Sequence, residues 1–352
     1  MMLLKRPSRT WIFLLAGLVV VRLFILSPDL IEKFYSLGFY PLLGRFMRYL
    51  TGWLPFSLGD ILYGIFILLI FREIVRWVNW FWKKEKPDFI QDSMSSYAMV
   101  FLFIYLAFNI LWGLNYNRKN IGNQFGLEVE SVDTTLLPTL TEKLRDKTNQ
   151  CRSNYTDLNN YSEVAISGYH ELSKAIPFLQ PAPVSFKSSL LGSIGNYIGY
   201  AGYFNPFTGE AHVNTTIPKF MLPFVAGHEI GHQLGYAKEH EASFLGHLAA
   251  KASGNLSMQY SSYLNMFLAA HHELKRVDSL AAKAIWKGLD AKVLQDIQLY
   301  RDYLDQYDTP FGLWVDQFYN QYLKLNEQPS GMRSYNLVTV WLIAWFKKYG
   351  EI

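Results

Sequence analysis

Residues 224–250 read FVAGHEIGHQLGYAKEHEASFLGHLAA, and this stretch decides how the second half of the chain folds. In HEIGH, His228 and His232 are four residues apart, so on a helix both imidazoles project from one face. Glu229 points about a hundred degrees away from His228. Two neutral imidazoles one turn apart suit a single Zn²⁺, and a carboxylate beside them suits a general base. The stretch therefore predicts a zinc-binding helix.

The flanking residues indicate that this helix is buried. MLPFVA (221–226) precedes the motif, and Ile230 and Leu234 lie inside or beside it. Buried histidines and a buried glutamate need polar partners, and a metal ion supplies one. The alternative interpretation is a helix that carries these residues incidentally.

The third ligand decides which kind of zinc site is present. In an HExxHxxGxxH motif the third ligand would be a histidine, but Lys238 stands at that position and cannot ligate while charged. Gly235 is predicted to end the helix instead. A second helix is expected to begin around Lys238, and it offers Glu239, His240 and Glu241 as candidates. The two glutamates are two residues apart and should face different ways on a helix.

The overall composition predicts membrane spans. Half of the 352 residues are apolar and 16% are aromatic, whereas only 18% are charged. Three apolar segments in the first third are predicted to cross the membrane: 11–27, 58–82 and 97–114. Residues 28–57 are apolar and aromatic too, and are expected at the interface or re-entering the membrane. The alternative is that some of these segments are buried helices of a large core.

The charge distribution indicates topology and partners. Residues 1–114 carry 12 basic and 7 acidic side chains, while the remainder is nearly balanced. This excess belongs to the membrane part, so we expect a lipid bilayer as partner and no nucleic acid. The positions of the basic residues put the N-terminus in the cytoplasm and everything after residue 115 outside it. The single cysteine, Cys151, excludes a disulfide framework within one chain.

From residue 115 the composition becomes that of a soluble domain. PAPVSFKSS and IGYAGYFNPFTGEAHVN predict strands around an Asn-Pro…Thr-Gly turn, and the strand 210–214 is expected to pair with an extended substrate. The fold class is therefore mainly α with a small sheet, divided into a membrane domain (1–114) and a second domain (115–352). Helical patterns recur at 218–234, 239–253, 256–275, 290–306, 311–325 and 334–349.

HEIGH followed by EHEASFLG resembles the membrane-associated gluzincins, such as the Ste24/HtpX peptidases. Those peptidases have a later Glu-Ala-Asp in which the glutamate binds zinc and the aspartate supports a histidine. Glu241 and Ala242 match that motif, whereas Ser243 stands where the family has aspartate. The resemblance covers residues 204–246 and implies a zincin-like α+β domain. It also implies zinc ligands His228, His232 and Glu241.

The whole chain resembles an uncharacterised bacterial family of predicted membrane-bound zinc peptidases. Its similar features are three N-terminal spans, GLNYNR (113–118), NPFTGEA, HExxH with EAxF, and a C-terminal SY (334–335). The resemblance implies a multi-pass protein of the bacterial inner membrane, with Tyr335 as a candidate to stabilise the oxyanion.

We therefore expect a zinc-dependent endopeptidase that acts on a protein or peptide, with Glu229 as general base toward a zinc-bound water. Two alternatives stay open. One is a non-catalytic membrane scaffold or binding protein, which Ser243 permits. The other is a zinc amidohydrolase that acts on cell-wall links.

Overall fold

The chain is mainly helical with one three-stranded sheet, as the sequence predicts. These features come from a computed structural model. It describes residues 9–83, 88–127, 134–181, 183–326, 328–329, 331 and 337–352.

The N-terminal third consists of apolar helices. Helix α1 (Arg9–Ile25) turns by 97° into a helical run over residues 28–52. The turn falls at Ser27, just before Pro28, because a proline cannot continue a helix but suits the first position of a new one. The run and the helices after it are α2 (Pro28–Leu30), a π-helix (Ile31–Phe39), α3 (Tyr40–Gly52), α4 (Leu58–Lys83) and α5 (Asp88–Leu111).

One helix of the described chain, within Ser93–Leu111 of α5, is long and apolar enough to cross a membrane. It overlaps the span predicted at 97–114. The bent pair formed by α1 and residues 28–52 would provide a second crossing if it counts as one span. Helix α4 is continuous over the predicted span 58–82, but it is not among these candidates, and its sequence includes Arg72, Glu73 and Arg76.

The remainder of the chain folds around a helical core. A helix is present at each of the helical patterns predicted beyond residue 217, and one further helix, Ser279–Trp286, is not predicted by the sequence. A 3₁₀-helix (Gly113–Asn117) leads from α5 into this part, and two more occupy Pro177–Leu179 and Lys219–Met221. The elements are α6 (Ile121–Phe125), α7 (Leu137–Arg152), α8 (Tyr161–Ala175), β1 (Phe186–Ser188), α9 (Gly192–Tyr197), β2 (Gly202–Asn205), β3 (Glu210–Val213), α10 (Leu222–Gln233), α11 (Glu239–Ala252), α12 (Leu256–Val277), α13 (Ser279–Trp286), α14 (Ala291–Tyr307), α15 (Pro310–Leu325) and α16 (Val338–Tyr349).

Two buried apolar clusters hold these elements together. The larger lies among α7, α8, α10, α11, α12 and α16 and includes Tyr169, Ile230 and Phe267. The smaller joins α1, the run 28–52 and the end of α5, and it reaches Ala237 in the turn after α10. The turn that follows HEIGH and α10 is thus packed against the N-terminal helices.

The sheet has the order β1-β3-β2, with β1 parallel and β2 antiparallel to β3. Because β3 is paired on both sides, the prediction that residues 210–214 pair with a substrate is wrong. Strands β1 and β2 are the two edges of the sheet, and each has one unpaired side.

Candidate metal centre

The two helices of the motif are joined by a tight turn. Helix α10 ends at Gln233, and Gly235 has φ 90°, which lets the chain reverse as the sequence predicts. Helix α11 begins at Glu239, so its first turn faces the last turns of α10.

Three side chains meet between these helices, and we call them the α10–α11 cluster: His228, His232 and Glu239. The Oε2 atom of Glu239 lies 3.1 Å from Nε2 of His228 and 3.3 Å from Nε2 of His232. One potential ligand atom from each residue falls within 4.8 Å of the others, and all three residues are buried. This is the arrangement that a single metal ion requires of its ligands.

The far nitrogens of both imidazoles are already engaged. Nδ1 of His232 lies 2.7 Å from the carbonyl oxygen of Tyr236 and so must donate to it, while Nε2 faces Glu239. Nδ1 of His228 lies 3.0 Å from Oγ of Ser243. Ser243 therefore occupies the supporting position that the resemblance assigns to an aspartate.

The prediction that Glu241 completes the cluster is wrong, and the alternative, Glu239, takes that place. Two residues further along α11 the side chain turns to the opposite side of the helix. There the carboxylate of Glu241 accepts the backbone N–H of Ile121 at 3.0 Å, at the start of α6. The Glu-Ala match misled the prediction because both glutamates belong to the first turn of α11.

The contacts between Glu239 and the two histidines determine the protonation of the α10–α11 cluster. Burial acts to raise the pKa of Glu239, but the two adjacent histidines hold it well below its usual range. Burial acts to lower the pKa of His232, yet Glu239 raises it to about 9. Burial lowers the pKa of His228. A carboxylate ion thus faces the two rings.

Glu229 lies beside the cluster and does not join it. It is buried, and burial raises its pKa to about 8. Its Oε2 atom has no hydrogen-bond partner among the described residues. A Cβ on Gly202 of the edge strand β2 would come 2.7 Å from the other carboxylate oxygen, so only glycine lets the strand pass this close.

The other predicted candidates lie elsewhere. Nδ1 of His240 accepts a hydrogen bond from the Trp341 indole at 2.7 Å and points away from the cluster. Tyr335, the proposed oxyanion donor, lies outside the described residues.

A cavity of about 820 Å³ opens onto the cluster. Its walls come from α1, α4, α5, β2 and α15, with His228, Glu229, His232 and Glu239 at one side. The cavity is therefore shared between the apolar N-terminal helices and the motif helices. Its volume matches the usual range for small-molecule and peptide sites.

Tyr319 of α15 is a cavity residue that the sequence does not reveal. Its hydroxyl donates to Oε1 of Glu239 at 2.9 Å, so it orients the carboxylate whose other oxygen faces the histidines. It lies 80 residues after that glutamate in an ordinary amphipathic pattern, and no local motif marks it.

The N-terminal segments satisfy the carbonyl groups at the end of α10. Trp112 donates its indole N–H to the carbonyl of His232 at 3.1 Å. Tyr40 and Arg48 donate to the carbonyl of Gln233 at 2.9 and 3.0 Å, and Arg118 donates to that of Gly235 at 3.0 Å. The carbonyl of His232 also accepts the backbone N–H of Gly235 at 2.9 Å, so side chains from outside the motif add to the hydrogen bonds of the turn in fixing the end of α10.

A second buried polar group, which we call the β3–α4 cluster, comprises Ser57, Glu210 and His212. Oγ of Ser57 lies 2.7 Å from Nε2 of His212, which is stacked on Tyr203 with ring centroids 4.2 Å apart. The carboxylate of Glu210 accepts the first backbone N–H groups of α4, from Leu58 at 3.2 Å and Gly59 at 2.6 Å. This cluster attaches α4 to the sheet.

Comparison with known proteins identifies a family but no relative of established activity. The family model described as "Protein of unknown function (DUF3810)" matches residues 35–343, across the predicted boundary between residues 114 and 115. No curated protein and no solved structure matches the chain. Because the match covers most of the sequence, the chain belongs to the DUF3810 family.

Proposed function

We propose that the chain is a membrane-associated, zinc-dependent endopeptidase of the gluzincin type. The observation that carries the proposal is the convergence of both Nε2 atoms of His228 and His232 on one buried oxygen of Glu239, beside Glu229 and a cavity. In this proposal, the three residues of the α10–α11 cluster are the zinc ligands, and Glu229 is the general base.

The donor set fits zinc. Neutral imidazole nitrogens and a carboxylate oxygen are the ligands of many catalytic zinc sites. Ligand atoms around a tetrahedral zinc ion are separated by about 3.3 Å, given bonds of about 2.0–2.1 Å. The separations of 3.1 and 3.3 Å between Glu239 and the two rings agree with that spacing. When bound, zinc would supply Lewis-acid polarisation of a carbonyl and would acidify water.

The surrounding residues supply binding and proton transfer. Glu229 has an unpartnered oxygen in a site that excludes most solvent, which suits it to accept a proton and return it to a leaving amine. Strand β2 passes beside it, and its free edge offers backbone groups to an extended peptide. A peptide paired there would run past Glu229 and into the cavity.

The membrane part of the proposal is supported by composition. Besides the crossing in α5, we propose that α1 and α4 also cross, with the N-terminus in the cytoplasm. Residues 115–352 would then form a zincin-like domain outside the cytoplasm of a bacterial inner membrane, as the sequence resemblance implies. The charged residues on α4 are compatible with a crossing if their side chains reach the interface.

Metal analysis of the purified full-length protein tests the proposal, with Glu239→Gln and Glu241→Gln as a matched pair. We expect zinc in the wild-type protein and in Glu241→Gln, strongly reduced zinc in Glu239→Gln, and cleavage of casein only where zinc is kept. Absence of zinc from the wild-type protein even after titration would refute the metal site. Zinc without cleavage of casein or of a membrane-tethered peptide would refute the peptidase assignment.

A further inference from the structure

Helix α15 exposes a continuous apolar face. Phe311, Trp314, Phe318 and Leu325 are 62%, 71%, 77% and 83% exposed, and we call these four residues the α15 apolar face. At 100° per residue they fall within an arc of about 60°. Large exposed apolar patches on a folded protein mark a surface that another phase or molecule covers.

The rest of α15 has a different character. Asn320 and Lys324 project away from the apolar face and Gln317 lies beside it, so the helix is amphipathic, although Leu313 is exposed away from the apolar face. No charged side chain falls within the arc of the apolar face. This pattern of aromatic and leucine residues opposite polar ones is typical of a helix that lies in a membrane interface.

Contacts place the C-terminal end of α15 near the end of the candidate membrane span. The hydroxyl groups of Tyr322 and Tyr116 are 3.4 Å apart, and their ring centroids are 6.5 Å apart. Tyr116 follows Leu111, the last residue of α5, by only five positions. A helix that crosses a bilayer ends near its surface, so α15 lies near that depth.

The apolar face is also continuous with the apolar helices. Leu325 lines the same cavity as Phe101 and Phe108 of α5. Phe101 is 73% exposed, as expected of a side chain that faces lipid. A single apolar environment would therefore cover α5 and α15 together.

We propose that α15 is an interfacial helix whose apolar face, Phe311, Trp314, Phe318 and Leu325, is inserted into the lipid bilayer. The partner is the bilayer, and the insertion depth expected of such helices is about 5–10 Å. The proposal rests on the proposed membrane crossing of α5 and does not depend on zinc. Because Tyr319 of the same helix donates to Glu239, the position of α15 at the bilayer and the shape of the α10–α11 cluster are linked.

Site-directed spin labelling of the full chain in phosphatidylcholine–phosphatidylglycerol vesicles tests the proposal. In a Cys151→Ala background, Phe318→Cys is compared with Gln317→Cys, and Leu325→Cys with Lys324→Cys. We expect nitroxides at 318 and 325 to collide more often with oxygen, which concentrates in lipid. Those at 317 and 324 should collide more often with a water-soluble nickel chelate.

Two results would overturn the proposal. One is equal access of the nickel chelate to both members of each pair, which means that the face is in water. The other is protection of 318 and 325 from both reagents, which means that protein covers the face. Magnetic coupling between labels would then identify that protein as a second copy of the chain. The use of two pairs guards against one variant that fails to fold.

Discussion

The α10–α11 cluster and the β3–α4 cluster both contain histidine and glutamate, but only the first lies at the cavity, whereas the second attaches α4 to the sheet. In the β3–α4 cluster, the carboxylate of Glu210 accepts hydrogen bonds from backbone N–H groups of α4, and Nε2 of His212 is hydrogen-bonded to Ser57. In the α10–α11 cluster, two Nε2 atoms turn toward one carboxylate oxygen at the wall of a cavity. Neighbouring histidine and glutamate residues therefore indicate a metal or catalytic site only where their ligand atoms meet at a cavity. Substitutions in matched pairs, one in each cluster, test this difference.

The largest effect is expected at the general base. Glu229→Gln keeps shape and removes proton transfer, so peptide cleavage should fall by about 10²–10⁴-fold. The zinc content of the purified variant should equal that of the wild-type protein. Retained cleavage would remove Glu229 from this role, and loss of zinc would show that it acts as a ligand.

The matched substitution in the β3–α4 cluster, Glu210→Gln, should lower the stability of the fold. Glu210→Gln weakens two hydrogen bonds from the start of α4 to a buried carboxylate, at a cost of about 1.5–3 kcal/mol in the free energy of unfolding. Thermal unfolding in detergent would show the lower Tm. Zinc per folded molecule should not change, and zinc loss without a Tm shift would contradict the distinction between the clusters.

A smaller effect is expected where Ser243 supports a ligand. Ser243→Ala removes the oxygen beside Nδ1 of His228, and such changes weaken metal binding by about 10–100-fold. Competition with a chromophoric chelator measures that shift. Ser57→Ala is the matched control, because its hydroxyl is also bonded to a histidine, and it should leave zinc affinity unchanged.

The smallest effect concerns the attachment of α10 to the N-terminal helices. Tyr40→Phe removes one donor to the carbonyl of Gln233, while Arg48 remains, so the loss of stability should be about 1 kcal/mol. Denaturant unfolding monitored by circular dichroism gives the value. A loss of several kcal/mol would mean that Tyr40 does more than its hydroxyl contact indicates.

Local patterns in the sequence determine much of this structure. The four-residue spacing of His228 and His232, the end of α10 at Gly235 and the β2–β3 hairpin follow from periodicity and turn chemistry. The membrane-like composition of the first third agrees with the candidate span in α5.

What the sequence does not determine depends on contacts between distant segments. The choice between Glu239 and Glu241 depends on how α11 is rotated against α10 and α6. The central position of β3 is a matter of strand order, which local pattern does not encode. Tyr319 reaches the cluster only because α15 packs across the cavity.

The side chains that cap α10 from the N-terminal region have a practical consequence. A fragment that began after Arg118 would leave out the apolar helices, yet it would also lack Trp112, Tyr40, Arg48 and Arg118 itself. The last turn of its key helix would fray, taking His232 with it. The two halves of this chain are therefore expected to fold as one unit.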